Sequence, residues 1–218
     1  MGMGRYHGDR AFEAFLRAGR TPCISVNEAK RTLLPAAAGR PDLKSFDYVV
    51  YAPGGAGLLI DVKCRRLPTP RLTLVRPDGT RQAHRAAGRP ARLESWVTTE
   101  DVRSLGTWQS LFGDAFKAAF VFLYWCDAGD GLATQPPDGL FDRVFLDHGR
   151  WYAVRGVLLD DYQRHQQLRS ARWQTVDLPA PLFERLGNGF TRAWLDRARP
   201  ITESGSPALP LPAAVAGR

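Results

Sequence analysis

The chain has 218 residues, 44% of them hydrophobic and 24% charged, which supplies one ordinary folded domain with a real core and excludes a disordered chain. With 30 lysines and arginines against 22 acids the formal net charge is +8, a balance that makes a nucleic-acid backbone the leading partner. Cys23, Cys64 and Cys126 lie far apart and the four histidines lack zinc-ligand spacing, which argues against a disulfide framework or zinc site; no apolar run reaches membrane-span length, so a cytoplasmic location is expected.

In chain order, residues 9–18 predict a helix, because Ala11, Phe12, Phe15 and Leu16 recur at helical spacing and Gly19 ends the pattern. Glu13 stands at the margin of that apolar face, four residues before Arg17. It either closes an i, i+4 ion pair or leans over the following strands as a further acid. Residues 21–26 predict a short strand. Ser25 and Glu28 have capping-box spacing ahead of a helix over 29–34, so Glu28 is first a cap and a chemical group only in reserve. Residues 35–41 are Ala/Gly/Pro loop.

Residues 46–51 and 58–62 predict two strands, joined through the turn chemistry of Pro53, Gly54, Gly55 and Gly57. With the loop centred near Gly54, Asp47 faces Asp61 across the hairpin. Alternation puts Lys63 on the Asp61 side and Val62 on the other. Two like charges directly opposite destabilise a sheet unless a cation lies between them. In the absence of Cys or His ligands, carboxylates select magnesium or manganese, and Lys63 would orient or activate a water beside it. A solvated hairpin face, with Lys63 paired to the nearer acid, accounts for the same residues without a metal.

Residues 64–95 are arginine-rich and turn-rich, with a short strand over 72–75. They read as a basic insertion that grips phosphate or as a surface excursion. Thr98 to Asp101 cap a helix to about residue 112, with Val102, Leu105, Trp108 and Leu111 inward; Gln109 on it reaches a substrate or faces solvent. Residues 116–126 predict a buried central strand, and 143–146 with 151–157 a hairpin. A polar helix carrying His165 is expected over 158–170 and a strand over 173–178. There Arg169, Arg172 and Trp173 form a basic-aromatic patch that contacts nucleic acid or covers an edge. Short helices follow over 181–187 and 190–199, and the Pro/Ala-rich tail 200–218 is expected to be disordered. Neither a P-loop nor G-x-G-x-x-G nor G-x-S-x-G occurs, so nucleotide-binding and serine-hydrolase readings lack support.

A helix with a glutamate, a strand with an aspartate, a tight turn, a strand with Asp-x-Lys, then a helix and a buried strand: this order resembles the PD-(D/E)XK nuclease superfamily. The spacing 61 − 47 = 14 lies in that superfamily's usual range. Residues 11–16 through Lys63 resemble archaeal Holliday-junction resolvases and restriction-type nucleases. More closely, Tyr6-His7, Phe12-Glu13, Asn27-Glu28-Ala29-Lys30-Arg31 and residues 43–63 resemble the HYExAFE family of bacterial proteins, and the likeness extends through Trp96-Val97, Trp108, Leu111-Phe112-Gly113 and Trp173. One departure is that His7 follows Tyr6 instead of preceding it.

The resemblance implies a restriction-endonuclease-like α/β fold, a mixed central β-sheet flanked by helices, with residues 1–199 as one nuclease-like domain. It implies metal-dependent hydrolysis of phosphodiester bonds in nucleic acid, DNA in the first instance. Asp47, Asp61 and the Val62 carbonyl would hold Mg²⁺ or Mn²⁺, Glu13 would support the metal or its water, and Lys63 would orient the attacking water. Ser45 would touch a phosphate, and Arg65, Arg66 and Gln109 are further candidates for nucleic-acid contacts. Related resolvases work as dimers, so a homodimer is the assembly this likeness suggests. A non-catalytic nucleic-acid-binding or assembly module on the same fold is the competing reading.

Overall fold

The most apolar run of the chain becomes the middle of its main sheet. A computed structural model describes residues 3–26, 43–51, 55, 57–67, 93–127, 141 and 143–195. Helix α1 (Met3–Ala18) precedes strands β1 (Cys23–Ser25), β2 (Tyr48–Tyr51), β3 (Gly57–Arg66) and β4 (Val97–Thr98). Helix α2 (Thr99–Phe112) leads into β5 (Phe116–Asp127), β6 (Arg143–Asp147) and β7 (Arg150–Leu158). Helix α3 (Leu159–His165), β8 (Gln167–Ser170), β9 (Thr175–Asp177), α4 (Ala180–Gly187) and α5 (Phe190–Trp194) complete the order.

Six strands form a mixed sheet in the order β1-β2-β3-β5-β7-β6, with β3 and β5 parallel and the other neighbours antiparallel. A parallel pair requires a crossover, and α2 lies on the path between its strands. The second sheet, β4-β9-β8, is antiparallel. The architecture is therefore α/β, a mixed central sheet flanked by helices.

Alternation sorts the faces of β3. Leu58, Ile60 and Val62 pack with Ala11, Phe12 and Leu16 of α1 in one apolar cluster. Leu59 packs with Val102 and Leu105 of α2 in the other. Asp61, Lys63 and Arg65 share the parity of Leu59 and so belong to the α2 face. Gly8 lets α1 lie close to β3, since a Cβ there would come within 2.6 Å of Cys64 Sγ.

Several boundaries differ from the expectations. Helix α1 starts at Met3, six residues before the expected Asp9. The helix expected over 158–170 ends at His165, and Gln167–Ser170 is strand β8. Local composition favoured one helix there, but pairing of β8 with β9 gives its backbone a ladder that the helix would forfeit. Leu111, expected inward, is 61% exposed. Among the described residues no helix is long and apolar enough to cross a membrane. Glu28, the helix expected over 29–34, the strand over 72–75 and the tail 200–218 lie outside the described residues.

Candidate active site

Asp47 sits where the chain enters β2. Its N–H donates to the Ile60 carbonyl at 2.8 Å, and its carboxylate Oδ2 accepts the Val62 N–H at 2.7 Å. Bonded to residue 60 through its main chain and to residue 62 through its side chain, Asp47 lies beside Asp61. Paired residues in a ladder turn N–H and C=O toward the same neighbour, so the Val62 carbonyl faces the side occupied by Asp47.

Asp61 is 7% exposed, and its Oδ2 lies 2.8 Å from Lys63 Nζ. Burial pushes its carboxyl up to about 7; Lys63 pulls the other way, while the charges of Asp47 and Asp101 add to the rise. Lys63 Nζ also lies 3.3 Å from Asp101 Oδ2.

Asp101 is fixed by the start of α2. Thr98 is the N-cap: Asp101 N–H donates to Thr98 Oγ1 at 3.1 Å, and Thr98 N–H donates to Asp101 Oδ2 at 2.9 Å, closing a capping box. The second Asp101 oxygen is 3.1 Å from Lys44 Nζ, which also pairs with Glu100 at 2.9 Å. Burial alone would raise the Asp101 carboxyl, but Lys63, the hydrogen bonds with Thr98 and the Lys44 charge outweigh it and hold it at about 2. The Lys44 backbone is anchored in turn: its carbonyl accepts Trp108 Nε1–H at 2.7 Å, and its N–H donates to Ser104 Oγ at 3.3 Å. Helix α2 thus sets both the charged chain Lys44–Asp101–Lys63–Asp61 and the segment that delivers Asp47.

A pair of adjacent carboxylates with a carbonyl is a donor set for a hard divalent cation, which takes one or two carboxylates and keeps several waters. Asp47, Asp61 and Val62 fit Mg²⁺ or Mn²⁺ on that ground. Among the described residues there is no group of three or more His, Cys, Asp or Glu side chains that could hold a metal, so a third side-chain ligand does not come from Glu13.

Glu13 needs correcting. It lies on α1, which packs against the face of β3 opposite Asp61. Its carboxylate pairs with Arg17 at 2.6 Å, and its charge helps burial raise the Cys23 thiol at the β1 edge. Gln109 is also turned inward: its Oε1 accepts the Ala118 N–H at 2.6 Å and its Nε2 donates to Asp160 at 3.1 Å, joining α2 to β5 and α3. Ser45 Oγ donates to the Phe46 carbonyl at 3.1 Å, two residues before Asp47. Arg65 lies on the Asp61 face, its guanidinium 4.1 Å from the Trp96 ring and donating to the Trp96 carbonyl at 3.0 Å. Arg66 points to the opposite face, 5.3 Å from the Trp125 ring. Two contributors were missed from the sequence, Lys44 and Asp101. The capping spacing of Thr98 and Asp101 was visible, but nothing local tied that cap to a lysine 38 positions away (101 − 63).

No family model matches this chain, and no curated protein matches it. Among solved structures, Hjc, a Holliday junction resolvase from the archaeal hyperthermophile Archaeoglobus fulgidus, is similar at 13% identity with a TM-score of 0.43, over 86% of this chain and 92% of the other.

Proposed function

We propose that this protein is a divalent-metal-dependent nuclease of the PD-(D/E)XK kind that hydrolyses phosphodiester bonds in DNA. One observation carries the reading: the Asp47 carboxylate takes the Val62 N–H next to the buried Asp61, whose Oδ2 lies 2.8 Å from Lys63 Nζ. A buried carboxylate next to a second one is costly unless a cation is shared between them.

Asp47, Asp61 and the Val62 carbonyl would hold Mg²⁺ or Mn²⁺, which when bound supplies Lewis acidity and an acidified water. The remaining roles fall to the chain itself. Lys63 orients the attacking water and meets the charge that builds on the scissile phosphate. Asp101 keeps the Lys63 ammonium at the acid pair and does not touch the substrate. Lys44, attached to the other Asp101 oxygen, adds a cation where the phosphate backbone would pass. The HYExAFE likeness, a homodimer and a single nuclease-like domain over residues 1–199 belong to the same proposal.

The test is Mg²⁺-dependent cleavage of branched, nicked and linear DNA. Asp61→Ala and Lys63→Ala should abolish cleavage while leaving DNA binding within about twofold of the parent. Full cleavage by both variants overturns the site. Calorimetric titration of Mn²⁺ into parent and Asp47→Ala protein gives an independent reading, with binding expected only in the parent. That no group of three or more His, Cys, Asp or Glu among the described residues is placed to hold a metal favours one rival, a non-catalytic DNA-binding module. Binding without cleavage across the whole substrate panel would establish it.

A further inference from the structure

Trp173 is 68% exposed, in the turn between β8 and β9. Leaving an indole in water is unfavourable, and a single exposed tryptophan would call for no comment without its surroundings. The backbone that carries this one is held in place. Its N–H donates to Ser170 Oγ at 3.3 Å, Gln174 N–H donates to the Ala171 carbonyl at 3.4 Å, and Gln174 takes the left-handed region at φ 44°. The Gln174 carbonyl then accepts the N–H of Thr99, the first residue of α2, at 2.9 Å. The turn is therefore tied to the same helix start whose Asp101 holds Lys63.

Guanidinium groups accompany the rings. Arg172 lies 5.1 Å from the Trp173 ring. Between this turn and β3 stands Trp96, with Arg65 at 4.1 Å and Arg169 at 5.4 Å from its ring. Glu94 pairs with Arg169 at 3.3 Å and accepts the Trp96 Nε1–H at 3.2 Å, so three arginines face one acid along this stretch. Next to Arg65 on the same face of β3 comes Lys63. From the acid pair outward the order is cation, arginine with tryptophan, arginine, then exposed tryptophan with arginine.

We infer that this surface is a track for a single-stranded DNA segment, with Trp173 stacking an unpaired base and Arg172 and Arg169 following the phosphates toward Asp47 and Asp61. Duplex DNA hides its base faces, so only an unpaired strand can use an exposed ring; every base has such a face, and the contact is therefore indifferent to sequence. A backbone already ordered at Trp173 also loses little freedom on binding. The inference rests on the nuclease reading for its choice of DNA and for the direction of the strand.

Its test avoids cleavage altogether. In EDTA, fluorescence anisotropy of a labelled 16-mer measures binding as single strand, as duplex and as a ribo-oligonucleotide of the same sequence. Trp173→Ala should weaken single-strand binding about tenfold and duplex binding less than about twofold. Trp173→Phe should restore most of the loss, which a folding defect would not allow, and Arg169→Ala with Arg172→Ala should flatten the salt dependence. The track is overturned if Trp173→Ala binds as the parent does, loses both DNA forms equally, or prefers the ribo-oligonucleotide. It also fails if the parent binds no single strand, or if the substitution dissolves a self-assembly that had covered the indole. Uncut DNA with Trp173-dependent binding would refute the nuclease and leave the track standing.

Discussion

The two faces of β3 carry opposite kinds of side chain. Toward α1 the strand presents Leu58, Ile60 and Val62 into an apolar cluster with Ala11, Phe12 and Leu16. Toward α2 it presents Leu59, then Asp61, Lys63 and Arg65, and the helix above answers with Asp101 at Lys63 and with the Trp108 and Ser104 contacts that anchor Lys44. One strand thus serves as ballast on one side and as a charged cradle on the other. The lesson is that burial does not imply a dry role: Ile60 and Asp61 are 0% and 7% exposed, and only the second needs partners.

Substitution on the charged face should fall on chemistry. Asp61→Asn is expected to lower Mg²⁺-dependent cleavage by about 10²- to 10³-fold or more, read from single-turnover rates, with the far-UV spectrum unchanged. Substitution on the apolar face should fall on stability instead. Ile60→Ala, which opens a void between β3 and α1, should cost about 2–5 kcal/mol in urea unfolding while the folded fraction cuts normally. If Ile60→Ala spared stability, or Asp61→Asn spared cleavage, the division between faces would be lost.

A subtler effect separates the two acids by pH. Asp61 has its folded carboxyl raised to about 7, so without metal the folded state holds a proton that the unfolded chain releases near pH 4. Stability from this source therefore declines as pH rises between about 4 and 7. Asp101 is depressed to about 2, so its contribution is present above about pH 4 and lost as pH falls toward 2. Lys63, Asp47 and Asp101 are the charged groups acting on Asp61. Thermal unfolding in EDTA at pH 8 should show Asp61→Asn more stable than the parent, with the gain vanishing near pH 4. Adding Mg²⁺ at pH 8 should raise the parent's midpoint and leave the variant's unmoved.

The smallest effect belongs to Glu13. Its ion pair with Arg17 is an exposed i, i+4 contact, so Glu13→Ala should change stability by less than about 0.5 kcal/mol and cleavage by less than about twofold. A cleavage loss of tenfold would mean that α1 contributes across the sheet edge after all.

Much of this was legible beforehand because it follows short-range rules. The β2–β3 hairpin, with Asp61 and Lys63 on one side of its second strand, needs only period-two alternation and a glycine-rich turn. The cap at Thr98 and Asp101 and the buried strand β5 were equally readable. Glu13 went astray because helical periodicity tells which residues face a sheet, and nothing in it says which face of that sheet the helix covers. Residues 167–170 went astray because their strand exists through β9. Gln109 and Arg65 looked available as polar groups, but buried main-chain N–H and C=O groups had claims on both.

By itself, the sequence determined the local grammar: where strands alternate, where helices start, and that Asp61 and Lys63 fall on one side of a strand. Only the tertiary structure decided that α2 lies over that side and α1 over the other. That choice brings Lys44 and Asp101 to Lys63, leaves Glu13 behind, and joins the Trp173 turn to the same helix end. Such pairings depend on packing between segments far apart in the chain, where long-range burial and charge compensation outweigh any preference written in neighbouring residues.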